Sequence, residues 1–139
     1  MFSKTTEYAL GALVHLARSG DAGALRGRRL AELCGVPHAY LMKILSDLAR
    51  VRIVHGARGS GGGYQLARPA ATVRLVEIVE LFEGPLERDH CLLGPGQACA
   101  VQPCPAHDCW MRVREPFIEF VKTRTLADLA GAAPGGSDE

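Results

Sequence analysis

The sequence lacks both a long apolar run and a secretory leader. No uninterrupted stretch reaches the roughly 18 apolar residues that a membrane-spanning helix needs. The N-terminus also lacks the order of basic, apolar and small residues that marks a secretory signal. These absences predict a cytoplasmic protein without a membrane partner.

The sequence is also too short for two full domains. Its 139 residues correspond to one domain, because domains most often run about 100–150 residues. Hydrophobic residues make up 47% of the chain and charged residues 22%. This composition is sufficient for a buried core and excludes wholesale disorder.

Cysteines are too unevenly placed for a disulfide framework. The chain has five, an odd number, and a cytoplasmic protein keeps its thiols reduced. Cys34 stands alone, whereas Cys91, Cys99, Cys104 and Cys109 fall within nineteen residues. Clustered intracellular cysteines are typical of metal ligands or redox thiols.

The net charge of +1 conceals two halves of opposite sign. Residues 1–74 carry eleven lysines and arginines against four acidic residues, a net charge of +7. Residues 75–139 carry five basic and eleven acidic residues, a net charge of −6. The asymmetry predicts that the first half binds a polyanion and that the second half has another task.

The first half begins with the pattern of two helices. Ser3 is placed to cap a first helix that ends at residues 19–21. After a loop of small residues, residues 28–34 have the spacing of a short helix with Leu30 and Leu33 facing inward.

A third helix follows after a tight turn. Gly35 is placed to end the second helix as a left-handed cap, and Pro37 suits the first position of the next helix, which runs to about residue 50. Its apolar stripe consists of Leu41, Ile44, Leu45 and Leu48. Two short helices joined by a glycine-containing turn predict a helix-turn-helix.

A hairpin with a glycine-rich tip comes next. Residues 51–55 alternate as a strand, residues 56–63 form a cationic tip, and residues 64–66 return as a second strand. A helix-turn-helix followed by such a hairpin predicts a winged helix.

The second half contains two helical patterns separated by an irregular stretch. A helix striped by Leu75, Ile78, Val79 and Phe82 ends at Gly84. Residues 86–106 have no periodicity, and a stretch of this length is usually functional or mobile. A last helix starts near His107, and its apolar side carries Trp110, Val113, Phe117, Phe120 and Val121. Thr125 to Asp128 resembles a capping box that opens a final short turn, and residues 131–139 read as a disordered tail.

The helix-turn-helix nominates side chains for reading DNA. The N-terminal residues of the second helix of such a motif contact base edges in the major groove, which here selects His38, Ala39, Tyr40 and Lys43. The alternative is that neither residue contacts DNA, because Tyr40 covers the core and Lys43 is an ordinary solvated lysine.

The hairpin tip nominates a second set, namely Arg58, Ser60 and Gly62. Glycines allow close backbone approach to phosphate, and Arg58 at the apex suits a narrow minor groove. A nucleotide-binding loop is the weaker interpretation, because the tip lacks the Lys-Ser/Thr ending of a P-loop and opens no helix.

The irregular stretch nominates an inorganic centre. Seven residues separate Cys91 from Cys99, four separate Cys99 from Cys104, and His107 follows three residues later. Thiolates select zinc or iron-sulfur clusters, and the absence of paired Cys-x-x-Cys knuckles puts zinc second. The alternative is a set of free cysteines.

Taken together, these motifs resemble the Rrf-type winged-helix transcriptional regulators, the IscR/NsrR family of iron-sulfur regulators. The resemblance rests on residues 4–10 (KTTEYAL), 30–32 (LAE), 36–41 (VPHAYL), 58–67 (RGSGGGYQLA), the cysteine trio and 125–129 (TLADL). It covers the chain from residue 1 to about 130.

The resemblance implies a mainly α fold with a small β-hairpin and a long C-terminal dimerisation helix. Residues 1–84 are then the winged helix-turn-helix domain, 85–106 the cluster-binding loop, 107–130 the dimerisation helix and 131–139 the tail. The implied assembly is a homodimer in which each subunit binds half of a palindromic operator in double-stranded DNA.

The resemblance also implies an iron-sulfur cluster, with 2Fe-2S preferred over 4Fe-4S. Its three cysteine ligands carry over to Cys91, Cys99 and Cys104. The fourth ligand is either His107 or Glu7 of the partner subunit, and both stay open.

The chain departs from the family pattern at three positions. Cys109 is an extra thiol close to the ligand loop, and an alternative ligand, a redox partner and a buried apolar residue are all open for it. Pro116 falls inside the last helix, where it removes a backbone hydrogen bond. Cys34 is expected to belong to the core.

The function expected from these features is a transcriptional regulator whose operator affinity is switched by the cluster. One alternative is a regulator of the same fold that uses thiols or zinc instead. Another is a small redox or metal-binding protein with no DNA role. No set of nucleophile, base and orienting acid is found, so we do not expect an enzyme.

Overall fold

A computed structural model of the chain describes residues 2–20, 23–57, 62–86 and 104–131. In these ranges the elements are α1 (Lys4–Ser19), α2 (Gly27–Cys34), α3 (His38–Arg50), β1 (Val54–Ala57), β2 (Gly63–Leu66), a 3-10 turn (Ala70–Thr72), α4 (Leu75–Glu83), α5 (His107–Thr123) and α6 (Leu126–Ala130). The mainly α architecture with one small hairpin confirms the predicted fold class.

The helix-turn-helix is present with the predicted caps. The Ser3 hydroxyl accepts a hydrogen bond from the Thr6 N–H at the start of α1. Gly35 ends α2 in the left-handed conformation, with φ 66° and ψ 34°. Pro37 differs from the prediction by one position, because its extended ψ of 135° makes it the cap before α3 rather than the first helical residue.

The predicted first strand is displaced along the chain. Arg52 has φ 61°, and its N–H donates to the Ala49 carbonyl in a turn that closes α3. Residues 51–53 therefore belong to this turn, and pairing starts at Val54, opposite Leu66. The prediction of a strand over 51–55 was wrong because helix-end hydrogen bonds hold its first three residues.

The hairpin has an additional partner that sequence patterns did not reveal. Leu25 forms an antiparallel bridge with Tyr64, with N···O distances of 2.9 and 2.7 Å. The bridge brings the backbones so close that a Cβ on Gly63 would lie 2.5 Å from the Leu25 carbonyl oxygen. Gly63 also has φ 138°, a conformation that favours glycine. Leu25 thus attaches to the edge of the wing through a single bridge.

The core lies among α1, α2, α3, α4 and α6. Its largest fully buried side chains are Leu13, Leu30, Leu41, Leu45, Leu48, Ile53, Ile78 and Leu126. Leu33 was predicted to face inward with Leu30, but it is 40% exposed on the outer side of α2. Cys34 packs against the core as expected, and burial raises the pKa of its thiol.

The last helix starts at His107 and contains Pro116, as predicted. Its apolar stripe is divided between two environments. Val121 is fully buried, whereas Val113 is 58% exposed and Phe120 is 46% exposed. The exposed part is therefore available to another surface.

Residues 107–130 contain two helices. The capping box of α6 is present as predicted, with reciprocal hydrogen bonds between Thr125 and Asp128. Leu126 is buried in the core that contains α1, and its N–H donates to the Val73 carbonyl at 2.8 Å. The C-terminal part of the segment predicted as the dimerisation helix is therefore packed on the winged-helix domain.

Three predictions lie outside the described residues. They concern Arg58 and Ser60 at the wing tip, Cys91 and Cys99 between α4 and α5, and the tail from residue 132. Within the described ranges, no helix has the length and apolar character needed to cross a bilayer.

Candidate nucleic-acid interface and cysteine segment

The first turn of α3 presents a row of exposed side chains. His38, Ala39 and Lys43 are all exposed, while the opposite side of the helix carries the buried stripe that includes Leu41 and Ile44. The turn before α3 is short because the Val36 N–H donates to the Ala31 carbonyl at 3.0 Å. The fold thus anchors α3 by its apolar side and leaves its N-terminal residues accessible.

Tyr40 has a different environment from its neighbours. Its hydroxyl is hydrogen-bonded to the Thr5 hydroxyl of α1. Its ring packs edge-on against Tyr8, with centroids 5.7 Å apart and an interplanar angle of 87°. Tyr40 is thus in contact with two residues of α1.

A cleft of about 570 Å³ separates α3 from the wing. It is lined by Arg26, Gly27, Arg28, His38, Met42, Gly56, Ala57, Gly62, Gly63 and Tyr64. Met42 of α3 contacts both neighbouring elements at this cleft. A Cβ on Gly27 of α2 would lie 2.4 Å from the Met42 methyl carbon, and the Tyr64 hydroxyl of β2 donates to Met42 Sδ at 3.7 Å. Gly62, predicted as a wing contact, is buried beside this cleft.

The charge of this face is positive. Arg26 and Arg28 at the start of α2 line the cleft, and Lys43 is exposed on α3. The described residues form three ion pairs. Arg29–Glu32 lies within α2, Arg50–Asp47 lies within α3, and Arg68–Glu77 lies away from this face. Lys43 has no ion-pair partner within the described ranges.

Sequence reasoning missed the contribution of α2 and of Met42. The signal for α2 was present as three arginines within residues 26–29. Met42 had no such signal, because it occupies an apolar position on α3 and only the approach of the wing reveals that it lines the cleft.

The described part of the cysteine segment contains two of the predicted ligands. Cys104 and His107 lie in one turn at the start of α5, where the His107 N–H donates to the Cys104 carbonyl at 3.0 Å. Both are partly exposed, and Cys109 is exposed. No group of three or more potential metal ligands is found within the described residues, and the remaining two cysteines of the proposed trio lie outside them.

The N-terminal part of α1 carries the alternative ligand and a polar network in which Thr6 is buried. Glu7 is exposed in the first turn. Beside it, Glu83 of α4 accepts hydrogen bonds from the Ser3 N–H and the fully buried Thr6 hydroxyl, both at 2.8 Å. Burial alone raises the pKa of Glu83, but these hydrogen bonds outweigh it, so the pKa lies below its ordinary value of 4.5.

Comparison with known proteins gives a consistent result. The model of the Rrf2 family, described as iron-dependent transcriptional regulators, matches residues 2–132. A protein of Aquifex aeolicus named as an HTH-type transcriptional regulator is 30% identical over 93% of this chain and 90% of its own length.

Solved structures agree with the sequence matches. CymR, the global cysteine regulator of B. subtilis, superposes with a TM-score of 0.77 at 25% identity, covering 94% of this chain and 95% of its own. IscR of T. potens superposes with a TM-score of 0.71 at 26% identity, covering 93% of this chain and 85% of its own.

Proposed function

The chain belongs to the Rrf2 family and is a transcriptional regulator of the helix-turn-helix type, and from this premise we propose that an iron-sulfur cluster switches its affinity for a palindromic operator. The proposal has three parts, which are the reading of DNA by α3 and the wing, the binding of a cluster between α4 and α5, and dimerisation through α5.

The DNA-reading part is carried by the exposed first turn of α3 beside a cationic cleft. His38, Ala39 and Lys43 are proposed to contact base edges or adjacent phosphates in the major groove. Arg26 and Arg28 face the same cleft and add positive charge where a phosphate backbone would pass. At the wing, Arg58, Ser60 and Gly62 are proposed to contact the neighbouring minor groove.

The cluster-binding part rests on the donor chemistry of the cysteine segment. Cys91, Cys99 and Cys104 would hold the cluster with His107 or Glu7 of the partner subunit as the fourth ligand. Cys104 and His107 fit this role because they share one turn and are both partly exposed. The cluster would supply a centre that responds to oxidants, nitric oxide or iron supply, and a non-thiolate ligand would leave one labile position.

The dimer part rests on the apolar side of α5. Val113 and Phe120 are about half exposed, although both are large apolar residues. In a homodimer this side would pack against its copy. Because operator half-sites lie about 34 Å apart, a small change in α5 packing would alter how two copies of α3 fit DNA.

The DNA-reading part is tested by gel retardation with an operator selected from a random duplex pool. We expect sequence-specific retardation that weakens steeply as salt rises from 50 to 200 mM, as expected of a protein with several phosphate contacts. Equal retardation of operator and scrambled duplex would contradict this part, whatever the cofactor.

The cluster-binding part is tested by anaerobic purification, visible absorption, and iron and sulfide analysis. We expect a brown protein with stoichiometric sulfide, and we expect Cys104→Ser to lose it. Mössbauer spectra of His107→Ala and Glu7→Ala would identify the fourth ligand. If neither substitution changes the spectrum, both proposed ligands are wrong.

A thiol-based regulator of the same fold is the second candidate. It is favoured by the exposed Cys109 and by the similarity to a global cysteine regulator. It predicts a colourless protein, even after anaerobic addition of ferrous ion and sulfide, whose operator affinity changes when its thiols are oxidised. Stoichiometric sulfide in the purified protein would eliminate it.

A further inference from the structure

Tyr40 differs from the other residues at the start of α3 in that its polar atom is already occupied. The hydroxyl bonds to Thr5 of α1, and the ring is held edge-on by Tyr8. The Thr5 bond uses part of the hydrogen-bonding capacity of this hydroxyl and, together with the Tyr8 ring contact, fixes the position of the side chain against α1. Tyr40 is 40% exposed, and His38, Ala39 and Lys43 are exposed as well, so Tyr40 is distinguished by its bond to Thr5 and not by burial.

The same turn of α1 also contacts the two elements that flank the cysteine segment. Ser3 and Thr6 both donate to the carboxylate of Glu83, the last residue of α4. Phe2 packs against Phe117 of α5, with ring centroids 5.4 Å apart. Residues 2–8, which we name the α1 contact turn, therefore join three elements that are distant in sequence.

We propose that the α1 contact turn positions α3, and that Tyr40 is a positioning residue rather than a base-reading residue. The inference rests on the proposed DNA-reading function. Thr5 and Tyr8 hold Tyr40, and through it the first turn of α3. Glu83 and Phe117 hold the other end of the same turn.

The physical reason is that the α1 contact turn cannot move relative to α4 without also moving relative to α3. Thr6 is fully buried, and its hydroxyl is bonded to Glu83, so a displacement of the end of α4 moves the backbone of α1. The Thr5 and Tyr8 side chains follow that backbone and carry Tyr40 with them. A change in the segment between α4 and α5 thus reaches α3 through contiguous packed contacts.

The test is a double-mutant cycle on sequence discrimination, which is the ratio of Kd values for scrambled duplex and for the operator selected by the wild-type protein. Thr5→Val and Tyr40→Phe each remove one hydroxyl of the bonded pair. We expect each to lower discrimination by about three- to tenfold, and the double variant to lower it no further. The salt dependence of binding should stay unchanged, because no phosphate contact is removed.

Two matched pairs of variants complete the test. Tyr8→Phe keeps the ring and should retain wild-type discrimination, whereas Tyr8→Leu should lose it. Glu83→Ala should lower discrimination even though Glu83 lies on α4. Glu80→Ala should not, because Glu80 accepts from Leu86 and makes no described bond to the α1 contact turn. Thermal unfolding of each variant shows whether it is folded at the assay temperature.

Several results would overturn the inference. A loss in Tyr40→Phe with no loss in Thr5→Val would mean that Tyr40 reads DNA directly. Additive losses, no loss in either variant, wild-type behaviour of Glu83→Ala, or equal effects of Glu80→Ala and Glu83→Ala would each contradict it. If the wild-type protein shows no discrimination, the proposed function itself fails.

Discussion

At the residue scale, the positive side chains differ in whether their charge is available to DNA. Arg29, Arg50 and Arg68 are engaged with carboxylates of nearby residues. Lys43 is exposed on the first two turns of α3 and forms no ion pair with a described acid. Its charge is therefore available to a phosphate or to a guanine edge.

Lys43→Ala should weaken operator binding by about tenfold and reduce the slope of log affinity against log salt by about 1. Quantitative gel retardation at four salt concentrations measures both. Arg124→Ala is the matched control, since it removes one exposed positive charge from the connection between α5 and α6. Equal losses in the two variants would show that Lys43 acts only through net charge.

Glu83 contributes a pH-dependent stability that follows from its hydrogen bonds. Although burial raises its pKa, bonds from Ser3 and Thr6 lower the folded-state value below the ordinary 4.5. The ionised carboxylate therefore stabilises the fold above that value, and this contribution is lost as pH falls through the lower folded-state pKa.

Glu83→Gln should accordingly be less stable than the wild-type protein at neutral pH, and the difference should shrink below pH about 4. Urea unfolding at pH 7 and in the acid range measures it. Glu119→Gln controls for the loss of one exposed carboxylate. A stability difference that is the same at both pH values would contradict the assignment.

At the element scale, the wing depends on a close backbone contact. Gly63 lies where the hairpin meets the strand-like segment at Leu25, and both its φ of 138° and the 2.5 Å approach of the Leu25 oxygen to a Cβ require glycine. This contact sets the position of β2 beside α2 and so shapes the cleft.

Gly63→Ala should lower the free energy of unfolding by about 1–3 kcal/mol and weaken operator binding, because the wing must move away from Leu25. Gly56→Ala is the matched control in the paired strand. There a Cβ would meet the Tyr64 ring at 3.5 Å, an ordinary contact. Denaturant unfolding and gel retardation of both variants are the measurements, and comparable effects would refute the role of Gly63.

Element boundaries show how far local signals reach. Ser3, Gly35 and the Thr125–Asp128 box marked helix ends correctly, because a cap is a contact within about four residues. The β1 boundary failed because residues 51–53 have a strand-like pattern but continue the end of α3. Leu33 was placed inward by periodicity, but the core-facing side of α2 is formed by Leu30, Ala31 and Cys34, and Leu33 lies off that side.

At the scale of the whole molecule, α5 leaves two large apolar side chains, Val113 and Phe120, about half exposed. Phe120→Asp and Val113→Asp should convert a dimer into a monomer, because each places a charge in the proposed interface. Light scattering coupled to size exclusion measures the mass. Glu115→Lys, a charge change elsewhere on α5, should leave it unchanged, and a monomeric wild-type protein would refute the dimer.

The sequence by itself determined the helices, their caps, the family, and the residue types available for DNA and for a cluster, since these depend on short-range spacing and side-chain chemistry. Only the tertiary structure decided that Leu25 pairs with the wing at Tyr64, that α6 packs in the core with α1, and that Tyr40 contacts Thr5 and Tyr8. These contacts join residues that are far apart in the chain, by 32 positions in Tyr8–Tyr40, 39 in Leu25–Tyr64 and 112 in Arg18–Ala130 between α1 and α6. No local pattern encodes them, because they form only when the core closes and brings distant helices together.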